Sequence, residues 1–307
     1  MTVASPPPVT VTLGPCDEMR AEVIVRAAEA AAPGARLVGT VSGPRRRRDT
    51  TLPTTSRLVP VPGAAVSRAI LTEPAYWTPE LPNLYRVEAR LESADQHGEP
   101  IEATVGLRRL GVRGRSFWLD GRRWVPRATV AAGSADLAPA VRGSVAVATP
   151  ADDLLRAADE QGVAVVALAA EDSFTAEQIA RLAAHPAAML AIVAAWPSDA
   201  TEVEDVRRAA GTLQIGLAVD GEAPPPFIPD AVAFVAVCLR PGSVPHPAWR
   251  APPSRPLVAW RAEPAADRAA CDALQRDLAE WGLAAGRERL AWDWAGYLVG
   301  PRLSTNG

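Results

Sequence analysis

From Arg123 onward, eight short apolar runs succeed one another, most of them separated by stretches of helical character. They cover residues 124–130, 144–148, 163–169, 188–195, 214–219, 232–239, 257–261 and 290–295. A strand with one wet face alternates apolar and polar residues. These runs are nearly continuous, so they require cover on both faces. Strand, crossover and strand again is the signature of a parallel sheet, and eight units predict a closed (β/α)8 barrel. Fewer than two hundred residues are left for it, against about 250 in a typical barrel, so its connections must be short.

The punctuation supports this reading. Thr149-Pro150-Ala151-Asp152 predicts an N-cap, a proline at the first helical position and acid in the first turn. That helix should end at Gln161, with Gly162 just past it and Leu154, Leu155 and Ala158 facing the sheet. Residues 175–184 should bury Ile179 and Leu182. Residues 198–210 should start on a Ser198 cap and stop at Gly211. Residues 264–285 carry Leu274, Leu278, Trp281 and Leu283. After the fifth and sixth runs, Pro224-Pro225-Pro226 and Pro245-His246-Pro247 forbid ordinary helices.

Before residue 109 the rhythm differs. Strand-like runs at 9–13, 20–27, 35–42, 58–61, 64–71, 84–91 and 101–107 lie roughly ten residues apart, which predicts a β-sandwich of about seven strands. The expected organisation is a disordered tail at 1–8 with three consecutive prolines, a sandwich at 9–108, the barrel at 109–300 and a second tail at 301–307.

Composition narrows the chemistry. A net charge of −3 gives no overall basic field for nucleic acid or an anionic membrane. Arg45-Arg46-Arg47-Arg48 is the local exception and reads as a solvated loop. All 32 basic residues are arginine, which excludes Schiff-base, pyridoxal-lysine and Walker-lysine chemistry. Cys16, Cys238 and Cys271 are odd in number and far apart, as suits a reducing compartment. Residues 1–15 lack the features of a signal peptide, and no apolar run is long enough to span a membrane. A cytoplasmic location follows as the expectation. His97, His185 and His246 have no ligand-spaced neighbours, so neither a metal nor another cofactor is expected.

Three words carry a resemblance. Trp77-Thr78-Pro79-Glu80-Leu81-Pro82-Asn83-Leu84-Tyr85 comes first, then Gly106-Leu107-Arg108, then Phe117-Trp118-Leu119-Asp120-Gly121-Arg122-Arg123. In this order they resemble the end of the immunoglobulin-like domain of glycoside hydrolase family 2 and its step into the catalytic barrel. Asp159-Glu160-Gln161-Gly162, His185-Pro186 and Trp292-Asp293-Trp294 are weaker echoes. The resemblance implies an immunoglobulin-like β-sandwich followed by a TIM barrel. The family's sugar-binding jelly roll has no counterpart in this chain.

The resemblance also implies where catalysis should sit. A retaining glycosidase opposes two carboxyl groups about 5–5.5 Å apart, projecting from the carboxyl ends of barrel strands. Counted along the fourth-strand phrase from His185, the family's Asn-Glu falls on Ala195-Trp196. Counted along the seventh from Arg255-Pro256, its nucleophile falls on Arg261. Asp199 and Glu263 are the nearest carboxylates and the catalytic candidates, although each also reads as a helix-start acid. Trp196, Arg261, Trp292, Asp293, Arg127 and Glu171 are the candidates for contacting a sugar. The first-strand phrase, Arg127-Ala128-Thr129-Val130, lacks the family's Asn and His-Glu. The preferred expectation is a family-2-like protein with impaired or absent catalysis and a role in carbohydrate binding or interaction. The alternatives are an active retaining β-glycosidase with relocated acids, and a structural module with a closed barrel. Protein partners are not specified by the sequence.

Overall fold

The computed structural model describes residues 9–27, 35–47, 51–93, 98–130, 137, 143–169, 174–250, 254–263, 267–283 and 294–301. Two compact units divide the chain, residues 1–108 and 109–307.

The first unit is a sandwich, with eight strands among the described residues where about seven were expected. These are β1 (Val9–Cys16), β2 (Arg20–Ala27), β3 (Arg36–Arg45), β4 (Thr54–Arg57), β5 (Val59–Pro60), β6 (Val66–Thr72), β7 (Leu84–Glu92) and β8 (Ile101–Val105). They form two antiparallel sheets, ordered β1-β2-β6-β5 and β4-β3-β7-β8. The extra strand is β4, whose Thr54-Thr55-Ser56-Arg57 has no apolar residue to announce it; it is held by pairing with β3. Between the sheets lie Val23, Val25, Leu37, Val41, Leu71, Val87 and Leu107. The alternation in β7, with Tyr85, Val87 and Ala89 buried, is what a pleated strand with one core face requires.

The first word is a staple of this unit. Trp77 is wholly buried, and its N–H donates to the Leu107 carbonyl at 2.6 Å, joining the first word to the second. Thr78 and Leu81 close a turn through mutual backbone hydrogen bonds. Asn83 Nδ2 donates to the Tyr76 carbonyl at 2.8 Å, while its Oδ1 accepts from Arg46 Nε. Tyr85 Oη accepts the Ala75 N–H, and burial raises its phenol above the ordinary value. The loop expected at 45–48 is thus partly structured. Arg45 ends β3 paired with Leu84, and Arg46 braces Asn83; Arg48 lies outside the described residues, as does His97.

The second unit opens with a three-stranded antiparallel sheet, β9 (Leu110–Arg113), β10 (Ser116–Leu119) and β11 (Arg122–Trp124). Asp120 and Gly121 both have positive φ, the two-residue turn that suits the twist of a hairpin. Then comes a closed barrel of eight parallel strands, in chain order: β12 (Arg127–Val130), β13 (Ser144–Ala148), β14 (Ala164–Ala169), β15 (Ala188–Val193), β16 (Gln214–Asp220), β17 (Phe234–Leu239), β18 (Leu257–Arg261) and β19 (Gly296–Val299). Phe234 fills the lumen at the amino end of β17, over Gly216, where an added Cβ would stand 2.4 Å from the ring. Phe117 of β10 meets the same ring edge-on, with centroids 5.3 Å apart.

Among the described residues four α-helices accompany the barrel strands: α1 (Asp152–Gln161), α2 (Ala176–Ala183), α3 (Ala200–Ala210) and α4 (Arg268–Leu283). No α-helix follows β16, and only a 3-10 turn, Pro247–Arg250, is described after β17. The prolines there act as expected. Trp249 of that turn is fully buried in the outer layer against residues of β17, β18 and α4.

Several boundaries differ from expectation. The cap of α1 is Ala151, not Thr149. Thr149 still donates to the Leu168 carbonyl at the end of β14, so the chain leaves the sheet only through Pro150. Leu154 is half-exposed, while Leu155, Ala158 and Asp159 are buried. The cap of α3 is Asp199 instead of Ser198, and Leu283 of α4 is exposed. The last strand is Gly296–Val299, not 290–295. Trp294 precedes it and packs against Trp281 of α4, while Gly296 lies where a Cβ would collide with Pro126. No helix among the described residues is long and apolar enough to cross a membrane.

Candidate functional site

In a parallel barrel the carboxyl ends of the strands form the working mouth. Strand alternation decides which side chains enter it. On β18, Leu257 and Ala259 belong to the outer core shared with α4, so Val258 and Trp260 point into the lumen. The same alternation, carried across the registers, places Ala148, Leu168, Ile192, Asp220, Cys238 and Trp260 inward at or near the strand ends. Trp260 is 1% exposed, and its Nε1–H donates to the Gly300 carbonyl at 3.3 Å. Of the inward-facing strand-end side chains named here, Asp220 alone is a carboxylate. It is exposed, and its Oδ1 accepts the Glu222 N–H at 3.1 Å. Sequence reasoning passed over Asp220. Its signal was an apolar run ending on Asp-Gly at the fifth strand.

Arg261, at the end of the seventh strand, has the parity of Leu257 and Ala259 and faces outward. It is 4% exposed. Its guanidinium reaches Asp277 of α4 through Nη1 at 2.5 Å and lies 2.7 Å from Glu263 Oε1 through Nε. The Nε–H is not aimed at that oxygen well enough to count as a hydrogen bond, so its contact with Glu263 is chiefly electrostatic. Glu263 is thereby engaged with Arg261.

At the end of the fourth strand, Val193 leads through Ala194-Ala195-Trp196-Pro197 to α3. Trp196 leans on Phe174, ring centroids 5.6 Å apart at 49°. Its Nε1–H is buried without an acceptor among the described residues. Asp199 is exposed and spends its Oδ1 on the N–H groups of Thr201 and Glu202, at 2.9 and 3.0 Å. This is the capping arrangement that satisfies the orphan donors of a helix start.

Arg127 opens β12, at the amino end of its strand, and its Nη2 donates to Gln275 of α4 at 2.6 Å. Arg127 and Arg261 therefore both grip α4. Glu171, Trp292 and Asp293 lie outside the described residues. Because β19 starts at Gly296, the tryptophan word that ends with Trp294 precedes the last strand. No group of metal-ligating side chains is found among the described residues.

The two retained words of the barrel meet each other. Asp159 of α1 accepts from the Ala187 N–H at 2.8 Å and joins His185 Nδ1 at 2.7 Å, where α2 hands over to β15. Nearby, Arg181 of α2 donates to the Pro150 carbonyl and to Asp152, and this partner holds the Asp152 carboxyl below its ordinary range.

The chain carries a β-sandwich followed by an eight-stranded parallel barrel, the domain order that the resemblance implied. The particular relationship is to family 2: residues 16–108 match the family model of Glycosyl hydrolases family 2. No curated protein matches the chain. Among solved structures, a β-glucuronidase of Bacteroides uniformis aligns with 95% of this chain and 45% of its own, at 13% identity and a TM-score of 0.57. A β-glucuronidase of Parabacteroides merdae aligns at 14% identity and a TM-score of 0.60, over 95% of this chain and 46% of its own. For a β-galacturonidase of Eisenbergiella tayi the values are 15% and 0.56, over 95% and 64%. The chain thus spans less than half the length of the two β-glucuronidases. At these identities the likeness shows the fold.

Proposed function

We propose that this is a family-2-like protein in which hydrolysis is lost or strongly impaired and carbohydrate binding is kept. The observation that carries this is Arg261. It stands where the family's nucleophile is expected, faces away from the lumen, and occupies Glu263, the nearest carboxylate. At the opposing position, Ala195 and Trp196 have no proton to give, and Asp199 is bound to the start of α3. A retaining mechanism needs one carboxyl to attack and another to protonate; neither candidate is held in a form that supports this. Trp196, half-exposed and backed by the buried Phe174, offers an indole face beyond the end of β15, and indole faces receive the C–H faces of sugars. Glu171, Trp292 and Asp293 belong to the same reading as sugar contacts. The odd number and wide spacing of the three cysteines support a reducing compartment such as the cytoplasm.

The experiment is a panel of aryl glycosides assayed with the wild-type chain and with Glu263→Gln and Asp199→Asn. The expected result is no turnover above background in any of the three. Robust hydrolysis abolished by either substitution would overturn the proposal. Oligosaccharide binding weakened by Trp196→Ala is the expected positive signal.

A further inference from the structure

The chain is slightly acidic overall, but β9–β11 is not. Residues 109–124 hold five arginines and one carboxylate, Asp120. That carboxylate is paired with Arg109, Nη1 to Oδ1 at 3.4 Å. Arg113, Arg115 and Arg122 make no ion pair among the described residues, and all three are exposed.

Register gathers part of this charge on one face. Trp118 stands directly across from Gly111 on β9 and Arg123 on β11, and Arg113 pairs with Ser116 two residues along. Side chains two apart share a face, so Arg109, Arg113, Trp118 and Arg123 lie together. The opposite face is the buried one, with Leu110, Phe117 and Leu119. Trp118 is half-exposed, with the Arg113 guanidinium 5.1 Å from its ring centroid. Gly111 leaves open space beside the indole, where an added Cβ would meet nothing within 4 Å.

We propose that this outer face of β9–β11 binds a carboxylate-bearing polysaccharide, a polymer of uronic acid residues, away from the barrel mouth. Guanidinium forks match planar carboxylates through two parallel hydrogen bonds. A nucleic acid strand needs successive aromatic platforms for successive bases, and this face has one. A helical peptide needs an apolar groove, and none of the four side chains provides it. The choice of a sugar ligand rests on the carbohydrate-binding reading above; the location and the charge do not.

The test is titration of the full chain with sodium polygalacturonate, with neutral galactan, dextran sulfate and a dT oligonucleotide as comparators. Polygalacturonate is expected to bind, with affinity falling as salt rises. Arg113→Gln and Arg123→Gln should each weaken it about tenfold, as loss of a charge-assisted contact does. Arg113→Lys should not restore it, since an ammonium lacks the planar fork. Arg207→Gln on α3 should change nothing, and melting curves verify that each variant folds. Binding that survives both glutamine substitutions, or no binding, overturns the proposal. Equal binding of dextran sulfate or the oligonucleotide overturns the ligand class. Trp196→Ala separates the two sites. If it leaves polygalacturonate binding intact and abolishes binding of neutral sugars, both readings stand. If neutral sugars never bind but the arginine effects hold, the mouth reading alone fails.

Discussion

Asp159 and His185 belong to two of the words that carry the resemblance, and their place in the fold is structural. They lie where α1 and the turn after α2 meet the start of β15, at the amino end of the barrel, where residues serve stability more than chemistry. Asp159 is buried and satisfies both the imidazole and the Ala187 N–H. Its removal takes the acceptor from the buried Ala187 N–H and the partner from the part-buried imidazole, so Asp159→Ala should cost about 2–4 kcal/mol. His185→Ala should cost less, because the remaining carboxylate keeps its backbone donor. A double-mutant cycle in urea should return a coupling of about 1 kcal/mol or more between the two positions; additive losses would show that the contact carries no energy. Cys271 offers a second measurement at this scale. Burial, with the Asp272 charge beside it, pushes its thiol up to about 11. The unfolded thiol ionises near its ordinary value, about 8.5–9, while the folded one stays neutral. The unfolded state therefore binds fewer protons between about pH 9 and 11, and stability must fall as pH rises through that window. The loss attributable to this group should approach about 2 kcal/mol, and Cys271→Ala should flatten that part of the profile. With no lysine in the chain, few other groups titrate there, which makes the comparison clean.

The element boundaries show what local chemistry can and cannot announce. Gly162 takes the left-handed conformation expected of a residue that stops α1, and Thr175 caps α2 through its hydroxyl. Gly162 was readable because a single residue type satisfies a single backbone need; Thr175 meets the same kind of need but was taken as part of the helical stretch. The start of α1 was not readable, because the decisive contact, Thr149 N–H to Leu168, belongs to the neighbouring strand. The last strand was misplaced for a related reason. Its four residues include three apolar side chains, while Trp294 just before it is equally apolar but serves the outer layer. The candidate site follows the same division. That the catalytic positions of the resembled family fall on Ala195, Trp196 and Arg261 could be read by counting; that Arg261 points outward to Asp277 is a matter of strand parity and of a helix sixteen residues on. Asp199 gives this scale its prediction. As a helix cap its two accepted hydrogen bonds are worth about 1 kcal/mol. Asp199→Ala should lose that much in chemical denaturation, whereas Asp199→Asn, an equally good cap, should lose almost none. A large loss in the asparagine variant would mean that the charge does something beyond capping α3.

At the scale of the whole molecule, the two units have separate cores. The sandwich cluster draws its members from residues 9–107, and every strand pairing of those two sheets is internal to it. The barrel closes on itself through β12 and β19. A unit with its own core and a closed set of backbone pairs meets the requirement for folding alone. Trp77 makes this testable, because it is the one tryptophan within residues 1–108 and it is fully buried. A fragment of residues 1–108 should show the blue-shifted emission of a buried indole and unfold cooperatively in urea, with a slope of about 1–2 kcal/mol per molar. Its emission should shift red in one transition that coincides with loss of the far-ultraviolet β signal. The link from Trp77 to Leu107 lies inside the fragment, so cutting after Arg108 spares it. Removing it by ending the fragment at residue 105 should lower the midpoint sharply, since Leu107 leaves the core and the Trp77 N–H loses its acceptor. If the longer fragment shows exposed-indole emission without denaturant, the sandwich depends on the rest of the chain, and the first two words of the resemblance stabilise more than the unit that contains them.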